Sequence, residues 1–197
     1  MSKPRRISNE EQQFAYWLEE AQEHGLVVDS QEQPETFELI PKAEIVTLEM
    51  KKPKFLFHKH SYTPDFLVML TDLGKEILKD AFQPAWVSPD WIEHGRLYVD
   101  TKGSFTVQHG QEQMFVANRK LLWHYNKIWI AKVIPWISPM DRQGNMKAKA
   151  KRSLFTDTFA PDCLRYRSNL VPSNMGRCCK TVQQFIEDKK TLYTESL

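Results

Sequence analysis

The sequence predicts a mixed α/β protein in which a central mixed β-sheet is flanked by helices. Residues 9–24 carry apolar side chains at the spacing of one face of an α-helix. Residues 61–70 and 96–102 contain short apolar strands with polar ends, and residues 127–136 form the continuous β-branched and aromatic run of a buried strand. Because helical and strand patterns alternate, we expect the helices to pack on the sheet.

The composition is that of an ordinary globular protein. At 197 residues the chain is long enough for one domain with a full hydrophobic core. Its formal net charge of +2 does not indicate a nucleic-acid partner, so such a partner must be inferred from local clusters of charge. No apolar run approaches the roughly 20 residues of a membrane span, and no apolar segment follows the basic N-terminus. We therefore expect a cytoplasmic protein with no membrane partner.

The first helix is predicted to begin with a capping box. Ser8 stands in the N-cap position, Glu11 follows three residues later, and Gly25 is a natural end for the helix. The inward face of this helix is predicted to hold Phe14, Trp17, Leu18 and Ala21. The three cysteines of the chain are odd in number and lack a CxxC spacing, which favours reduced thiols over a disulfide framework or a zinc site.

Further strands are expected at residues 37–40, 44–50 and 54–58. About 25 residues separate the strand beginning near Asp65 from the strand at 96–102, which is long for a hairpin loop and indicates an insertion containing a short helix. Residues 111–125 form a second amphipathic pattern. Its inward face is predicted to hold Met114, Ala117, Leu121 and Leu122.

The chain is predicted to divide after residue 138. Residues 1–138 form the α/β core, and the composition then shifts to glycine, polar and basic residues typical of a linker. Residues 139–197 are expected to comprise this basic linker and a C-terminal extension that packs on the core. The segment VQQFIEDKKTLY is the one helix predicted in the extension.

Two aspartates and a lysine form the pattern that best indicates chemistry. Asp65 directly precedes an apolar strand, and Asp100 lies near the end of another, so their side chains can converge if the strands are neighbours. Lys102 follows Asp100 by two residues, so strand alternation places both side chains on one face. Carboxylates suit Mg²⁺, and a lysine can activate water or counter phosphate charge. The alternative is a turn-forming Asp65 and a solvated Asp100–Lys102 pair at a strand edge.

The segments PDF at 64–66 and VDTKG at 99–103 together resemble the signature of the PD-(D/E)XK nuclease superfamily, which has a restriction-endonuclease-like fold. The likeness extends to the Ser8-x-x-Glu11-x-x-Phe14 pattern, to QPETFELIP at 33–41 and to NRKLLWHY. These segments resemble a phage-encoded family of small nuclease-like proteins, and the core order is similar to that of Holliday-junction resolvases and transposon-end nucleases. The resemblance covers roughly residues 8–136.

The resemblance implies a role for each matching residue. Asp65 would bridge metal ions, Asp100 would ligate one, and the backbone carbonyl of Thr101 would add a ligand, with Mg²⁺ or Mn²⁺ as cofactor. Lys102 would assist the attacking water. A glutamate on the first helix would join the site, and by motif position this is Glu11. Glu19 and Glu20 are the alternatives on the same helix.

Basic side chains are candidate DNA contacts, although a solvated loop explains the later ones equally well. These candidates are Arg119 and Lys120 on the second helix and Lys147, Lys149, Lys151 and Arg152 in the linker. His58 and His60 form an HxH pair without a third ligand at a recognisable spacing, so surface histidines are favoured over a zinc site.

The expected activity is therefore metal-dependent hydrolysis of DNA phosphodiester bonds by an endonuclease. The resemblance implies a role in phage DNA processing, recombination or junction resolution in the bacterial host cytoplasm, as a homodimer or within a larger nucleoprotein machine. Two alternatives stay open. One is a nuclease-fold DNA-binding or partner-docking subunit without independent cleavage, and the other is a structural virion protein.

Overall fold

The computed structural model describes residues 7–47, 52–103, 109–138, 145, 152–165 and 175–194. The helices are α1 (Asn9–Glu23), α2 (Asp72–Leu78), α3 (Pro89–His94), α4 (His109–Asn126), α5 (Leu154–Asp157), α6 (Asp162–Arg165), α7 (Met175–Cys178) and α8 (Val182–Thr194). The strands are β1 (Val27–Glu32), β2 (Phe37–Ile40), β3 (Ala43–Ile45), β4 (Lys54–Phe57), β5 (His60–Tyr62), β6 (Phe66–Leu70), β7 (Arg96–Thr101) and β8 (Ile130–Val133). A short 3-10 helix occupies Ala85–Val87.

A four-stranded sheet organises these elements, in the order β1-β6-β7-β8. Strand β6 is antiparallel to both β1 and β7, and β8 runs parallel to β7. The prediction of a mixed α/β protein with a mixed central sheet flanked by helices is confirmed. Two smaller antiparallel pairs, β2–β5 and β3–β4, lie outside this sheet.

The insertion between β6 and β7 does not separate these strands. It contains α2, the 3-10 helix and α3, yet Phe66 pairs with Val99 and Leu67 with Tyr98 across the ladder. Gly95 ends α3 with a φ of +63°, a left-handed conformation that glycine adopts without strain, and its carbonyl accepts the Leu70 N–H at 2.8 Å. The predicted insertion therefore spans residues 71–95, after which the chain re-enters the sheet beside the strand that it left.

Alternate residues of the sheet face two separate hydrophobic cores. On one face, Phe66 and Val99 contact the buried side of α1. On the other, Tyr98 packs with Phe115 and Leu122 of α4. Because a strand alternates its side chains, one strand contributes to both cores, and both faces of the sheet are covered.

Helix α1 has the predicted start and the predicted inward face. The Ser8 side chain accepts the Glu11 N–H at 3.1 Å, and the Glu11 carboxylate accepts the Ser8 N–H at 2.7 Å, which completes the capping box. The four residues predicted to face inward are buried: Phe14, Trp17, Leu18 and Ala21. The helix is fixed to the sheet along its whole length.

The inward face of α4 differs from the prediction. The prediction holds for Leu122, which is buried, and for Leu121, which packs partly buried against the core. It is wrong for Met114, which is 55% exposed, and for Ala117, which is also exposed; Phe115 and Asn118 are buried instead. The side-chain oxygen of Asn118 contacts His60 Nε2 at 2.7 Å, and a polar residue on the buried stripe hides part of its apolar period.

The C-terminal residues complete the main core. Trp17 stacks on Phe159 with ring centroids 5.2 Å apart, and its indole N–H donates to the Thr158 hydroxyl at 3.1 Å. The Leu154 N–H bonds to the Ile134 carbonyl at 2.9 Å, which ties α5 to the chain that follows β8. Among the described residues, no helix combines the length and apolarity that crossing a membrane requires.

We expect Phe159→Ala to reduce the free energy of unfolding by about 3–5 kcal/mol, because it leaves a cavity against Trp17 in the main core. Urea denaturation measures the change. Ile92→Ala is the control, since Ile92 is 61% exposed and its loss should change stability by less than about 0.5 kcal/mol. Equal effects of both substitutions would show that residues after 152 are not part of the folding unit.

Candidate active site at the β6–β7 edge

Asp65 and Asp100 lie opposite each other on neighbouring strands. The Asp65 N–H donates to the Val99 carbonyl at 3.0 Å, which continues the β6–β7 ladder by one residue and brings Asp65 level with Asp100. Their carboxyl groups are hydrogen-bonded to each other. The convergence of these two side chains, on which the sequence pattern depended, therefore occurs in the structure.

Thr101 fixes the orientation of the Asp65 carboxylate. Its backbone N–H and its hydroxyl both donate to Asp65 Oδ2, at 2.8 and 2.9 Å. Burial acts to raise the pKa of Asp65. The hydrogen bonds from Thr101 and Asp100, together with the nearby Lys102 charge, outweigh burial and hold this pKa below its usual value.

Asp100 has the opposite electrostatic character. Its side chain is buried, and Lys102 Nζ lies 2.5 Å from its Oδ2, so the two residues share a face as strand alternation requires. Burial, and then the neighbouring Asp65 charge, raise the pKa of Asp100 to about 6 despite the Lys102 ammonium. In the absence of a cation, Asp100 is therefore the member of the pair that takes up a proton first as the pH falls.

Tyr62 is a third side chain at this site, and no chemical role for it follows from the sequence. Pairing of Tyr62 with Phe37 joins β5 to β2 and directs the Tyr62 hydroxyl towards Asp100. Burial and the Asp100 and Asp65 charges raise the pKa of the phenol, so it stays protonated. Its buried oxygen has no well-formed hydrogen bond among the described residues. In the sequence, the one indication that Tyr62 belongs to this site is its position three residues before Asp65.

Cationic and aromatic side chains of α4 and of the segment just before β8 border the acidic pair. The Phe115 ring lies between Lys102 Nζ, at 5.7 Å from its centroid, and the Arg119 guanidinium, at 5.1 Å. Arg119 also lies over the Trp129 ring at 4.5 Å. Burial lowers the pKa of Arg119. Arg119 is thus held near the site, whereas Lys120 is exposed on the outer face of α4.

Glu11 faces the same cavity as Asp65. This cavity has a volume of about 190 Å³ and is lined by Ile7, Glu11, Glu32, Gln33, Asp65 and Phe66. Glu32 belongs to β1, a strand that the sequence patterns did not predict. The alternatives to Glu11 lie elsewhere on α1: Glu20 accepts the Asp162 N–H at 2.7 Å, and Glu19 is exposed.

The remaining candidates are not at this site or lie outside the described residues. Arg152 pairs with Asp157 at 3.0 Å. Lys147, Lys149 and Lys151 lie outside the residues that the structure describes. The His58 ring contacts the Phe55 ring at a tilt of 50°, with ring centroids 4.5 Å apart.

The donor atoms at the site are those that hard divalent cations prefer. Among the described residues, no three His, Cys, Asp or Glu side chains are close enough to hold a metal ion. Asp65 and Asp100 nevertheless bring two carboxyl groups into contact, and Mg²⁺ is commonly bound by one or two carboxylates together with water and substrate phosphate. The residues present therefore fit such an ion.

Comparison with protein-family models, curated proteins and solved structures finds no match to this chain.

We expect Asp100→Asn to stabilise the protein in EDTA above pH 6 and to give a smaller gain near pH 4. Because the folded-state pKa of Asp100 is raised to about 6, the stability from its protonated form is present below the unfolded pKa and lost as pH rises through 6. The difference should be on the order of 1–3 kcal/mol. Urea denaturation at about pH 4.5 and about pH 7.5 measures it.

The exposed Asp29→Asn exchange, which removes a carboxyl group outside the pair, is the control. A gain from Asp100→Asn that does not depend on pH would contradict the raised pKa of the buried carboxyl.

Proposed function

We propose that this chain is a metal-dependent DNA endonuclease with a restriction-endonuclease-like core, in which Asp65, Asp100 and Lys102 form the centre of the active site. One observation carries the proposal. Two carboxyl groups contact each other at adjacent strand ends, one of them is buried, and a lysine on the same face lies within 2.5 Å of it. A solvated pair at a strand edge does not account for this burial.

The arrangement supports a site for Mg²⁺ or Mn²⁺ held by Asp65 and Asp100. When bound, such an ion would neutralise phosphate charge and lower the pKa of water that attacks phosphorus. The chain's own residues prepare for it. Thr101 holds Asp65 in one orientation through two hydrogen bonds, as outer partners of metal ligands commonly do.

Two cations supply the remaining electrostatics. The Lys102 ammonium lies beside Asp100, where it can orient the attacking water and stabilise negative charge that builds on the phosphate. Arg119 is held against Phe115 and Trp129, so its guanidinium can bind a phosphate of the DNA backbone with little loss of side-chain freedom.

The order of elements supports the same proposal. Helix α1 is followed by the antiparallel strands β1, β6 and β7, then by α4 and the parallel strand β8, which is the order of helix, strands, helix and strand that the resemblance implies. The acidic pair lies where β6 begins and β7 ends, at the edge of this core.

We expect Lys102→Ala to reduce DNA cleavage by at least about 100-fold, because it removes the cation that faces the reacting phosphate. Cleavage of supercoiled plasmid and of a synthetic four-way junction, with Mg²⁺, Mn²⁺ or EDTA, measures the effect. Lys79→Ala is the matched control, since Lys79 is the C-cap residue of α2 and pairs with Glu76 at the surface.

Metal-dependent cleavage that is lost in Lys102→Ala and kept in Lys79→Ala would support the endonuclease. The absence of cleavage by the wild-type protein with either metal would overturn it and favour a DNA-binding or docking subunit.

We expect Glu11→Gln to reduce cleavage by at least about tenfold while leaving thermal stability near that of the wild type. Glutamine at this position of a capping box still accepts the Ser8 N–H but carries no charge into the cavity shared with Asp65. Glu11→Ala should lose cleavage and also about 1 kcal/mol of stability, because the cap is lost. Full cleavage activity of Glu11→Gln would show that Glu11 caps the helix and takes no part in cleavage.

A further inference from the structure

A hairpin arm, defined as residues 42–47 and 52–59, carries exposed apolar side chains on both of its strands. Strands β3 and β4 pair with each other and lie outside the central sheet. In the described part of the arm, the exposed apolar side chains are Ile45, Val46, Phe55, Leu56 and Phe57, at 41 to 68% exposure. Neighbouring exposed apolar residues of this kind mark a binding surface.

The arm is also basic. Residues 42–47 and 52–59 carry four lysines against one glutamate, a net charge of +3, while the whole chain has a net charge of +2. The aromatic and basic groups are close in space. Lys42 Nζ lies 5.9 Å from the Phe55 ring centroid, and the His58 ring lies 4.5 Å from it. Cations interleaved with exposed aromatic rings are suited to a strand that has both phosphates and accessible bases.

The arm leads directly from the candidate active site. Strands β2 and β5 pair from Phe37–Tyr62 to Ile40–His60, and the chain then enters β3 and leaves β4. Tyr62 at the base of this ribbon faces Asp100. Lys54 is eight residues from Tyr62, so its backbone lies at most about 26 Å from that of Tyr62, at roughly 3.3 Å per residue.

We infer that the hairpin arm binds an unpaired DNA strand next to the scissile bond, with Phe55 and Phe57 stacking on bases and the lysines contacting phosphates. This inference rests on the proposed endonuclease activity and assigns its substrate class: DNA in which a single strand adjoins a duplex. Bases within a duplex are already stacked on each other, so exposed phenylalanine rings have no face to bind there. A second copy of the arm is disfavoured as the partner, because such a contact would bring two lysine-rich surfaces together and their charges would repel each other.

Fluorescence anisotropy in EDTA tests binding without cleavage, using a labelled single strand of about 16 nucleotides and its duplex. The full-length Phe55→Leu/Phe57→Leu double variant keeps apolar bulk but removes both aromatic faces. We expect it to bind the single strand at least about tenfold more weakly than the wild type. The Phe55→Trp/Phe57→Trp double variant should bind as the wild type does. Tyr125→Leu, an exposed aromatic exchange on α4, is the control and should leave binding unchanged.

Salt dependence tests the phosphate contacts separately. For Lys52→Gln/Lys54→Gln, the slope of log K against log salt should fall by about 1.4, because each contact to a single strand contributes about 0.7. Single-strand binding within threefold of the wild type for the double leucine variant would overturn the inference. So would an unchanged salt slope, or a loss of dimer in the double leucine variant without loss of DNA binding.

These outcomes distinguish failure of the arm's inferred DNA binding from failure of the proposed endonuclease activity. If the wild type binds the single strand through the arm but cleaves no DNA with Mg²⁺ or Mn²⁺, the proposed activity fails and the binding surface stands. If Lys102→Ala loses cleavage while the leucine variant binds and cleaves forked DNA as the wild type does, the activity stands and the arm's role is overturned.

Discussion

The contact between the buried Asp100 carboxyl and Asp65 is the interaction on which the site depends. Two like charges in a buried position are costly unless a proton, a cation or hydrogen-bond donors compensate them. Here Thr101 donates twice to Asp65, and Lys102 lies against Asp100. The remaining cost appears as the raised pKa of Asp100. A divalent cation bound by the two carboxylates would offset this cost.

The two cores keep this costly contact in place. The register between β6 and β7 is fixed because Phe66 and Val99 pack towards α1, while Tyr98 packs towards α4. The α1 side of the sheet is closed by the C-terminal segment, through the stacking of Phe159 on Trp17. The acidic pair therefore depends on residues from both ends of the chain.

Tyr62 connects the acidic pair to the hairpin arm. Its strand, β5, begins where the arm ends, and its hydroxyl faces Asp100. The arm itself has little burial to hold it, since the whole of β4 is exposed. A rigid site thus continues into an exposed basic and aromatic ribbon, a combination that suits a protein that must bind a flexible polyanion before it acts on it.

The sequence by itself determined the features that depend on neighbours along the chain. Capping of α1 by Ser8 and Glu11, the strands that carry Asp65 and Asp100, and the shared face of Asp100 and Lys102 all follow from local spacing. Tertiary structure alone decided which strands are neighbours, and hence that the carboxyls meet and that Tyr62 joins them. It also set the inward face of α4, where buried Asn118 binds His60, and the burial of the C-terminal segment. Periodicity reports that a side chain is buried, whereas the partner it meets is fixed by the register and packing of residues far apart in the chain.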